Sequence, residues 1–584
     1  SRLDALPAFD VNGRLLVFDG RLDNYTDLQR ELHCEAEILA DSDIVLRAYQ
    51  RWGCECFARF IGDWSLCLWD AVGRTLYLAR DHAGSRTLYY SRDAVGTVIW
   101  ATYLDSFLVT EHLQEPDSHY MASYLAMLPV YRRSPYRDIQ SIVPGHFLAI
   151  GEGRIEDTQF WTPIVNDQIV YKSDEEYQSH FLHLLEQSVA RRDCPGAPRL
   201  AQLSGGMDST SIVCLSDKWR KAQQPTCDLI DTVSYFDDSE PSWNERPYFT
   251  LVEARRGKTG IHLDAGRNRS KFEKPTGAGA LYLYPGIDQS NLQHDIYLRT
   301  FTKSPGFRSI LSGIGGDELT GGIPNPTSEL VDHLVAGRLA TATHRAIAWS
   351  LANRTCLVDC LAQSVRFLAD HLSLSYLDQS WSSIPWLTTK SREICHASVR
   401  ELPIVAYRPF SIRPGAIDSC QTWWYTLRTQ PHLKPSEIYR YEFRYPYLDR
   451  DLVDYLLRIP QEQLSRPGRR RAMMRRALVD IVPNEILERS RKAFLLKTPL
   501  AQISALAPRF QQLLDTSALV DGEFIDRDAF RQALDNTITG RDLRWWGLIR
   551  RTIGLETWLA ARAQQGHQRH STQICVTGRQ TSVA

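Results

Sequence analysis

Short apolar runs separated by Gly, Asp and Asn fill the first 150 residues of the chain. Runs of this length between turn-forming residues are typical of β-strands. The runs that predict strands lie at 14–19, 64–69, 75–79, 97–101 and 146–150. Apolar positions at helical spacing in Asp41–Trp52 predict a helix. We therefore expect stacked sheets flanked by helices in this part of the chain.

A different pattern, in which strands and helices alternate, begins near residue 174. The predicted elements are a helix at 177–191, strands at 199–203 and 229–236, helices at 209–219 and Arg246–Arg256, and a strand at Ser309–Leu311. Such alternation favours a parallel α/β sheet. Beyond about residue 327 the pattern is mainly helical, with Trp and Leu on amphipathic faces. The polar composition after residue 562 predicts a disordered tail.

Composition narrows the class of protein. With 584 residues the chain is too long for one ordinary hydrophobic core, so at least two domains are expected. The 68 Lys and Arg balance the 69 Asp and Glu, which gives no reason to expect a nucleic-acid partner. No apolar run has the length of a membrane span, and the N-terminal residues do not resemble a secretory signal. The 12 scattered cysteines lack the paired spacing of a zinc site and indicate reduced thiols. We expect a cytoplasmic protein without a membrane partner.

The segment from residue 200 to 210 has the strongest chemical signal in the chain. An apolar strand ends in two glycines, which let the backbone approach an anion, and a helix follows, whose free N–H groups and dipole would point at that anion. The residues concerned are Ser204, Gly205, Gly206, Asp208, Ser209 and Thr210. The sequence GxxxxGK[ST] of the Walker loop is missing. An acid such as Asp208 beside a phosphate implies Mg²⁺ between them. An ordinary Ser/Gly turn with a capping serine is the structural alternative.

Two loops resemble those of known ATP-using enzymes. Residues 204–209 match the SGGxDS loop of the enzymes that release pyrophosphate from ATP, and residues 312–322 resemble the SGEGSDELFGG loop of class B asparagine synthetase. The resemblance assigns Asp208 and Asp317 to Mg²⁺-pyrophosphate, and Ser312 and Gly313 to the nucleotide. Two carboxylates at strand ends would make an oxygen-rich Mg²⁺ site. The predicted ATP-binding residues are Leu203, Ser204, Gly205, Gly206, Asp208, Ser209, Thr210, Tyr235, Ser312 and Gly313.

Two later segments extend the resemblance. Residues 442–449 resemble the family's ExRxPFLD, which lines the substrate side and makes Glu442 a candidate catalytic residue. Residues 483–494 resemble its PxxxxxRxKxxF, whose Lys stabilises charge on the adenylate and the pentacoordinate phosphorus. Counting from Pro483 puts Arg491 at that Lys, with Lys492 next to it, so both remain catalytic candidates. The cluster 469–471 would add phosphate contacts or form a solvated helix face.

The first 150 residues also resemble the glutamine-hydrolysing domains of this family. Residues 17–25 resemble their VNGEIYNY loop, and further short matches follow in the same order up to His146. Asp19 stands where the family has the Asn of the oxyanion hole, and a carboxylate there would repel the developing oxyanion. Arg21 and Asp23 replace the Glu and Tyr of that loop. Such a domain needs an N-terminal Cys, whereas residue 1 is Ser, and a clipped upstream segment would leave this point open. We expect a retained scaffold that no longer hydrolyses glutamine.

Without ammonia from glutamine, the amine would arrive on a substrate. Family members of this kind include the β-lactam and carbapenam synthetases and the lasso-peptide cyclases. Glu442 with Tyr445 or Tyr447 keeps the β-lactam type open, because those enzymes pair a catalytic Tyr with a Glu. The segment of more than 100 residues between Gly322 and Glu442 is rich in aromatic residues that would wall a peptide-sized cavity or pack in a core. They are Trp349, Phe367, Tyr376, Trp381, Trp386, Trp423, Trp424 and Tyr425.

These observations predict an ATP-dependent amide ligase that works through an acyl-adenylate and releases AMP and pyrophosphate. The leading hypothesis is a lasso-peptide macrolactam cyclase, which joins the N-terminal amine of a precursor core peptide to an Asp or Glu side chain. A leader-peptide-binding protein and a leader protease are further candidate partners. An asparagine-synthetase-like ligase that uses ammonia or glutamine, or another small amine, is the alternative, and a degenerate nucleotide-binding scaffold is the third.

The expected fold combines α/β and α+β architecture in two domains. Residues 1–165 would form a glutaminase-like αββα sandwich that is inactive. Residues 175–565 would form a parallel α/β adenine-nucleotide-binding domain, with the SGGxDS loop and a helical extension. Residues 566–584 would form the disordered tail. The expected cofactors are ATP and Mg²⁺.

Overall fold

A computed structural model describes most of the chain, and the statements below refer to that part. The described residues are 7–109, 115–130, 132–165, 167–193, 199–223, 225–240, 245–264, 284–285, 307, 309–373, 379–401, 413–418, 420, 442–489 and 497–577.

Two antiparallel sheets form the N-terminal domain. The larger sheet has the order β1-β2-β3-β4-β8-β9, and the smaller has the order β6-β5-β7. The strands are β1 Ala8–Phe9, β2 Leu15–Leu22, β3 Gly62–Asp70, β4 Thr75–Arg80, β5 Tyr89–Arg92, β6 Val98–Ala101, β7 Gln140–Ser141, β8 His146–Gly151 and β9 Arg154–Gln159. The helices are α1 Tyr25–Glu31, α2 Asp41–Trp52 and α3 Ser118–Leu125.

Successive side chains along the strands of the larger sheet point to opposite faces, and each face packs in its own apolar layer. Leu66 and Leu68 of β3 pack with α2 residues such as Ile44, whereas Cys67 between them packs with Tyr90 of the smaller sheet. The smaller sheet in turn packs through Tyr89 against α3. The layers therefore run helix, sheet, sheet, helix.

The C-terminal domain is built on a parallel five-stranded sheet of order β12-β11-β10-β13-β14. Its strands are β10 Arg199–Gln202, β11 Asp231–Phe236, β12 Ile261–Asp264, β13 Ser309–Leu311 and β14 Glu442–Arg444. The helices among these strands include α4 Asp174–Arg192, α5 Met207–Gln223, α6 Arg246–Arg256 and α7 Gly316–Leu319. The predicted two-domain architecture with a parallel sheet is confirmed. Because β11 and β13 pair with opposite sides of β10, a crevice is expected at the carboxyl end of β10.

Helices make up most of the rest of the C-terminal domain. They are α8 Pro326–Val335, α9 Leu339–Asn353, α10 Leu357–Ser373, α11 Gln379–Ser382, α12 Thr389–Glu401, α13 Arg450–Arg458, α14 Gln461–Leu464, α15 Ala472–Ala477, α16 Asn484–Leu487, α17 Lys497–Asp515, α18 Ala518–Asp521, α19 Arg527–Ile538 and α20 Trp546–Thr577. Among the described residues, no helix combines the length and the apolar character that crossing a bilayer requires.

Helix α20 differs from the expectation of a disordered tail over 566–584. The helix continues to Thr577, and no proline interrupts the sequence between residue 566 and that end. Residues 578–584 lie outside the described part of the chain.

One apolar core joins the two domains. It contains Tyr120 of α3 from the N-terminal domain together with Trp381, Trp386 and Trp558 from the C-terminal helices. The two domains are therefore held by shared apolar packing as well as by the charged contacts described below.

Candidate active site

The first predicted loop lies between the end of β10 and the start of α5. Leu203 continues the strand by donating its N–H to the Val233 carbonyl oxygen at 2.8 Å. The N–H of Ser204 donates to Oγ of Ser209 at 3.1 Å, and the two hydroxyl oxygens are 3.0 Å apart. Gly205 has a φ of +70°, and a Cβ there would lie 2.4 Å from Cβ of Tyr248. This turn therefore requires glycine, and it places the N-terminus of α5 at the carboxyl edge of the sheet.

The second predicted loop meets the first at the end of the neighbouring strand, β13. The N–H of Ser312 donates to the Arg444 carbonyl oxygen at 2.9 Å, which continues the pairing of β13 with β14. A Cβ on Gly313 would lie 3.1 Å from Cβ of Asp208, and one on Gly316 would lie 2.4 Å from its Oδ1. Glycines thus allow the two loops to approach each other around Asp208.

Asp208 and Asp317 both bind one buried arginine, Arg471. Nη1 and Nη2 of Arg471 donate to the two oxygens of Asp208, the second at 2.7 Å, and Nη2 also donates to Oδ1 of Asp317. Each acid lies in the first turn of its helix, α5 or α7. The structure therefore brings the two predicted metal ligands together around a positive group, and their binding of Mg²⁺ stays a prediction.

The residues around these acids fit a magnesium-bound phosphate group. Carboxylate oxygens are the ligands that Mg²⁺ prefers in proteins. Ser312 is 1% exposed, and its Oγ has no hydrogen-bond partner among the described residues. A buried hydroxyl without a partner destabilises the protein, and a ligand oxygen would satisfy it. The donor set and this hydroxyl both favour an oxygen-rich ligand at this edge of the sheet.

Arg471 is the residue of this site that sequence reasoning located least well. The sequence indicated only that the cluster 469–471 contacts phosphate or forms a solvated face. The cluster divides: Arg469 pairs with Glu488 at 3.2 Å and is exposed, whereas Arg471 is buried. Arg471 has a φ of +55°, and its N–H donates to the Gly321 carbonyl oxygen at 3.1 Å. A local pattern does not reveal this, because the contact depends on packing between distant segments.

Two other predicted nucleotide residues have different surroundings. Tyr235 is half-buried near the carboxyl end of β11, beside β10, and so lies at the same edge of the sheet as the two loops. Thr210 is fully buried, and its Oγ1 has no partner among the described residues. Thr210 thus shares its burial and its unpartnered hydroxyl with Ser312, and its contact with a phosphate stays a prediction.

Glu442 lies in a cluster of arginines where the two domains meet. Its carboxylate accepts hydrogen bonds from Arg86 of the N-terminal domain and from Arg444, and it lies 3.7 Å from Nη1 of Arg21. Burial alone would raise the pKa of Glu442, but Arg86, Arg444 and Arg21 outweigh burial and hold the pKa at about 2. A carboxylate with so low a pKa is a poor general base near neutral pH. The catalytic role predicted for Glu442 is untested, and its contacts favour holding the domains together.

The two remaining catalytic candidates, Arg491 and Lys492, lie outside the described residues. Their assignment therefore rests on the sequence alone.

The loop that resembles the glutaminase motif has become part of an ionic network. Nη1 of Arg21 lies 2.7 Å from Asp63, and Nε of Arg21 lies 2.7 Å from Asp23. Arg192, which is fully buried at the end of α4, lies 3.7 and 3.8 Å from these same acids and donates to Asp449 at 2.7 Å. Acids of the N-terminal domain thus share one guanidinium with an acid of the C-terminal domain.

The described aromatic residues of the long segment after Gly322 pack mostly in cores. Trp349, Trp381 and Trp386 are at most 2% exposed, and Trp386 makes edge-to-face contacts with Phe530 and Trp545. Core packing therefore accounts for these three tryptophans, and they do not support a peptide-sized cavity. Tyr376 and the residues 423–425 lie outside the described part of the chain.

Comparison with known proteins identifies relatives of both domains. Residues 180–560 match the family model described as asparagine synthase, and residues 6–161 match the model described as glutamine amidotransferase domain. Asparagine synthetase [glutamine-hydrolyzing] 3 of Bacillus subtilis is 21% identical over 94% of this chain and 87% of its own. Amidase chyE of Penicillium rubens is 23% identical over 92% of this chain and 84% of its own.

The family model covers well over half of the chain, and its range includes both loops, Asp208, Asp317 and Arg471. The model of the amidotransferase domain covers the two antiparallel sheets. By these matches the chain belongs to the asparagine synthase family.

Proposed function

We propose that this protein activates a substrate carboxylate with ATP as an acyl-adenylate and then joins the acyl group to an amine. Membership of the asparagine synthase family makes the chain an ATP-dependent ligase. The observation that supports the adenylating step is the meeting of Asp208 and Asp317 at the ends of β10 and β13, beside a glycine turn and a helix N-terminus. Paired acids at that place suit a magnesium-bound pyrophosphate group.

The two steps balance as follows. A carboxylate oxygen attacks the α-phosphorus, the bond from that phosphorus to the bridging oxygen breaks, and pyrophosphate leaves. The amine nitrogen then attacks the acyl carbon, the bond to AMP breaks, and the nitrogen loses a proton. The N–H groups at the start of α5 would orient the phosphates, and Asp208 and Asp317 would hold Mg²⁺. Bound Mg²⁺ supplies charge neutralisation for the departing pyrophosphate.

We further propose that the amine belongs to the substrate itself. The family's glutamine loop is represented here by Asp19, Arg21 and Asp23, and Arg21 is tied to Asp23 and Asp63 by ion pairs. These contacts suit a scaffold better than a glutamine-binding site, because the charged groups of Arg21 and Asp23 already have partners within the protein. The specific reaction that fits is macrolactam closure of a lasso precursor peptide, in which the amine and the carboxylate lie on one chain.

The alternative is an asparagine-synthetase-like reaction that amidates a small carboxylate with ammonia or glutamine. It is favoured by the likeness to the Bacillus subtilis asparagine synthetase over 94% of this chain. A β-lactam-synthetase-like pair of Glu442 with a tyrosine is less favoured. Tyr447 is fully buried and shares a 2.7 Å hydrogen bond with Ser211, while burial raises the pKa of Tyr445 and Tyr447 far above the usual range.

One experiment tests the adenylating step and a second separates the reactions. Asp208→Asn and Asp317→Asn should each abolish conversion of ATP to AMP and pyrophosphate, and retention of this turnover would contradict the mechanism. Co-expression in the cytoplasm with a precursor peptide, its leader-peptide-binding protein and its leader protease should yield a peptide lighter by one water, as mass spectrometry would show. Asparagine formation from aspartate with ammonia or glutamine, without that loss of water, would favour the alternative.

A further inference from the structure

Arg489 makes a buried set of contacts beside the first loop that no step of the proposed reaction has used. Its Nη1 donates to the Gly205 carbonyl oxygen at 3.2 Å and to Oε2 of Glu245 at 2.7 Å, and Nη2 donates to Oε1 of Glu245 at 3.3 Å. Its guanidinium carbon lies 3.7 Å from the centre of the Tyr248 ring. The side chains of Arg489 and Glu245 are 9% and 5% exposed. Such a two-pronged, buried ion pair has a fixed geometry.

The partners of Arg489 belong to the helix against which the loop packs. Glu245 is the N-cap of α6, and its carbonyl oxygen accepts the N–H groups of Tyr248 and Phe249 at 3.1 Å each. A Cβ on Gly205 would lie 2.4 Å from Cβ of Tyr248, so the loop lies directly on this helix end. Arg489 therefore joins the loop carbonyl, the cap of α6 and the Tyr248 ring.

The carbonyl that Arg489 binds determines the direction of a donor in the loop. In a trans peptide the C=O of Gly205 and the N–H of Gly206 point in opposite directions. Holding that carbonyl towards Arg489 therefore turns the N–H of Gly206 to the other side, where it donates to Oγ of Ser204 at 3.3 Å. A bound phosphate would take over this N–H from Oγ of Ser204, and rotation of the peptide would turn the N–H away from it.

The main chain of Arg489 is also held in place. Its carbonyl oxygen accepts a hydrogen bond from Nη2 of Arg475 at 3.0 Å, and its N–H donates to the Ile486 carbonyl oxygen at 3.3 Å. Contacts on both sides of the residue keep the guanidinium from following a moving loop. Through Arg489, the carbonyl of Gly205 is held by a rigid part of the domain.

We propose that Arg489, together with Glu245, is a positioning residue that fixes the Gly205–Gly206 peptide and so presents the loop N–H groups to the terminal phosphates of ATP. The inference rests on the proposed nucleotide site. Arg489 itself contacts no phosphate in this role. Its loss should weaken binding of the phosphate chain and leave binding of the nucleoside unchanged.

The test compares ligands that share the nucleoside but differ in phosphates. Isothermal titration of the full chain would measure affinity for Mg-ATP, for pyrophosphate with Mg²⁺, and for adenosine. Arg489→Met should weaken Mg-ATP and pyrophosphate binding by about tenfold or more, because a hydrogen bond to a charged group is lost next to the loop. Adenosine affinity should stay within about twofold of that of the wild type.

Milder variants keep the proposal testable if Arg489→Met does not fold. Arg489→Lys retains the positive charge but loses the two-pronged hydrogen bonding of the guanidinium, and Glu245→Gln retains the shape of the side chain but loses the ion pair. Both variants should therefore lose less affinity than Arg489→Met, and only for Mg-ATP and pyrophosphate. Arg255→Met is the matched control, because Arg255 also links α6 to the C-terminal helices, through the Asp480 carbonyl oxygen at 2.9 Å, without contacting the loop. It should bind all three ligands as the wild type does.

The outcomes separate this inference from the proposed function. A wild-type chain that does not bind Mg-ATP would overturn both. Normal Mg-ATP binding by the wild type and unchanged binding by the folded Arg489 and Glu245 variants would overturn the positioning role alone. An equal loss for ATP and adenosine would also overturn it, because that result indicates general disruption of the domain.

Discussion

At the scale of single residues, Arg471 decides the charge of the candidate metal site. Two carboxylates close together repel each other, and the guanidinium that both Asp208 and Asp317 bind removes much of that repulsion. A divalent cation would have to compete with this resident positive charge. Removing Arg471 should therefore strengthen metal binding in the absence of nucleotide, although it removes a buried contact.

The variant Arg471→Met tests this competition between the guanidinium and the metal ion. The variant should bind Mn²⁺, used as a spectroscopic probe for Mg²⁺, about tenfold more tightly than the wild type without nucleotide, because a competing unit charge a few ångströms away is gone. Titration followed by electron paramagnetic resonance measures the affinity. Arg469→Met is the control, since Arg469 is exposed and pairs with Glu488 instead. Equal or weaker binding by Arg471→Met would show that the two acids are not the metal site.

Glu442 permits a prediction of pH dependence. Its pKa is about 2 in the folded protein, below the ordinary value of 4.5, because three arginines outweigh the effect of burial. A lowered pKa stabilises the fold above the unfolded value, and this contribution is lost as pH falls from about 4.5 towards 2. Glu442→Gln should therefore reduce the free energy of unfolding by about 2–3 kcal/mol at pH 7, and the difference from the wild type should shrink below pH ~5.

Denaturant unfolding of the wild type and Glu442→Gln across this pH range measures the effect. Glu35→Gln is a suitable control, because Glu35 is exposed and should cost little at any pH. A difference between Glu442→Gln and the wild type that does not depend on pH would contradict the ionic explanation.

At the scale of elements, the two glycine loops must fit against each other. Gly316 begins the short helix α7, and a Cβ there would lie 2.4 Å from Oδ1 and 2.9 Å from Cβ of Asp208. Gly316→Ala should therefore displace the Asp208 carboxylate and weaken Mg-ATP binding by ~10- to 100-fold, because small displacements of a binding group have large effects. Titration calorimetry checks the affinity, and circular dichroism checks the fold.

The control for this change is Gly547→Ala in helix α20. A Cβ on Gly547 would meet no atom within 4 Å, so this variant should bind Mg-ATP normally and gain slight stability from the higher helix propensity of Ala. Normal Mg-ATP binding by Gly316→Ala would mean that Asp208 is not held by the second loop.

The elements also show which parts of the structure a single sequence can predict. Strand β10, helix α5, strand β11 and helix α6 follow local patterns of apolar positions and turn residues, and all were predicted close to their observed bounds. Strand β14 was not predicted, because Glu-Phe-Arg is too short and too polar to differ from a loop. Its strand conformation comes from pairing with β13, which precedes it by more than 100 residues.

The candidate site divides in the same way. Asp208 and Asp317 were predicted because the resemblance gives the acid of each short motif a role. Arg489 is the Arg of the segment 483–494, but neither it nor Arg471 was assigned its contacts. Both arginines lie in the last part of the domain and bind groups more than 150 residues earlier in the chain. No periodicity or motif spacing encodes such a contact, because packing of distant segments produces it.

At the scale of the whole molecule, Arg192 couples the two domains. It is fully buried and faces Asp23 and Asp63 of the N-terminal domain on one side and Asp449 of the C-terminal domain on the other. The same interface contains His82, whose Nε2 lies 3.0 Å from the Leu448 carbonyl oxygen, and whose pKa burial lowers to about 4. The domain that resembles a glutaminase thus contributes charged groups to the C-terminal fold.

Arg192→Met should break this coupling. The change removes the guanidinium that faces three buried carboxylates, those of Asp23, Asp63 and Asp449. Loss of one partner from a buried ion pair lowers the free energy of unfolding by about 3–5 kcal/mol. Because the apolar core that joins the domains remains, we expect the variant to fold. Because the buried ionic link is lost, we expect its two domains to unfold in separate calorimetric steps, where the wild type should unfold in one. Arg450→Met is the matched control. Arg450 also crosses the interface, donating to the Ala58 carbonyl oxygen at 2.6 Å, but it lies at the exposed rim, where such a contact contributes less than about 1 kcal/mol.

The same pair of variants tests whether the N-terminal domain acts as a scaffold for the ligase site. Asp449 precedes α13 and follows the segment whose Arg444 carbonyl oxygen binds the N–H of Ser312. The loss of the ionic link in Arg192→Met should therefore displace the second loop and lower the affinity for Mg-ATP. Arg450→Met should have the same affinity for Mg-ATP as the wild type. If Arg192→Met unfolds in two steps but binds Mg-ATP as tightly as the wild type, the domains are joined without supporting each other's sites. In that case the ionic network around Arg21, Asp23 and Asp63 stabilises only the association of the two domains and not the ligase site.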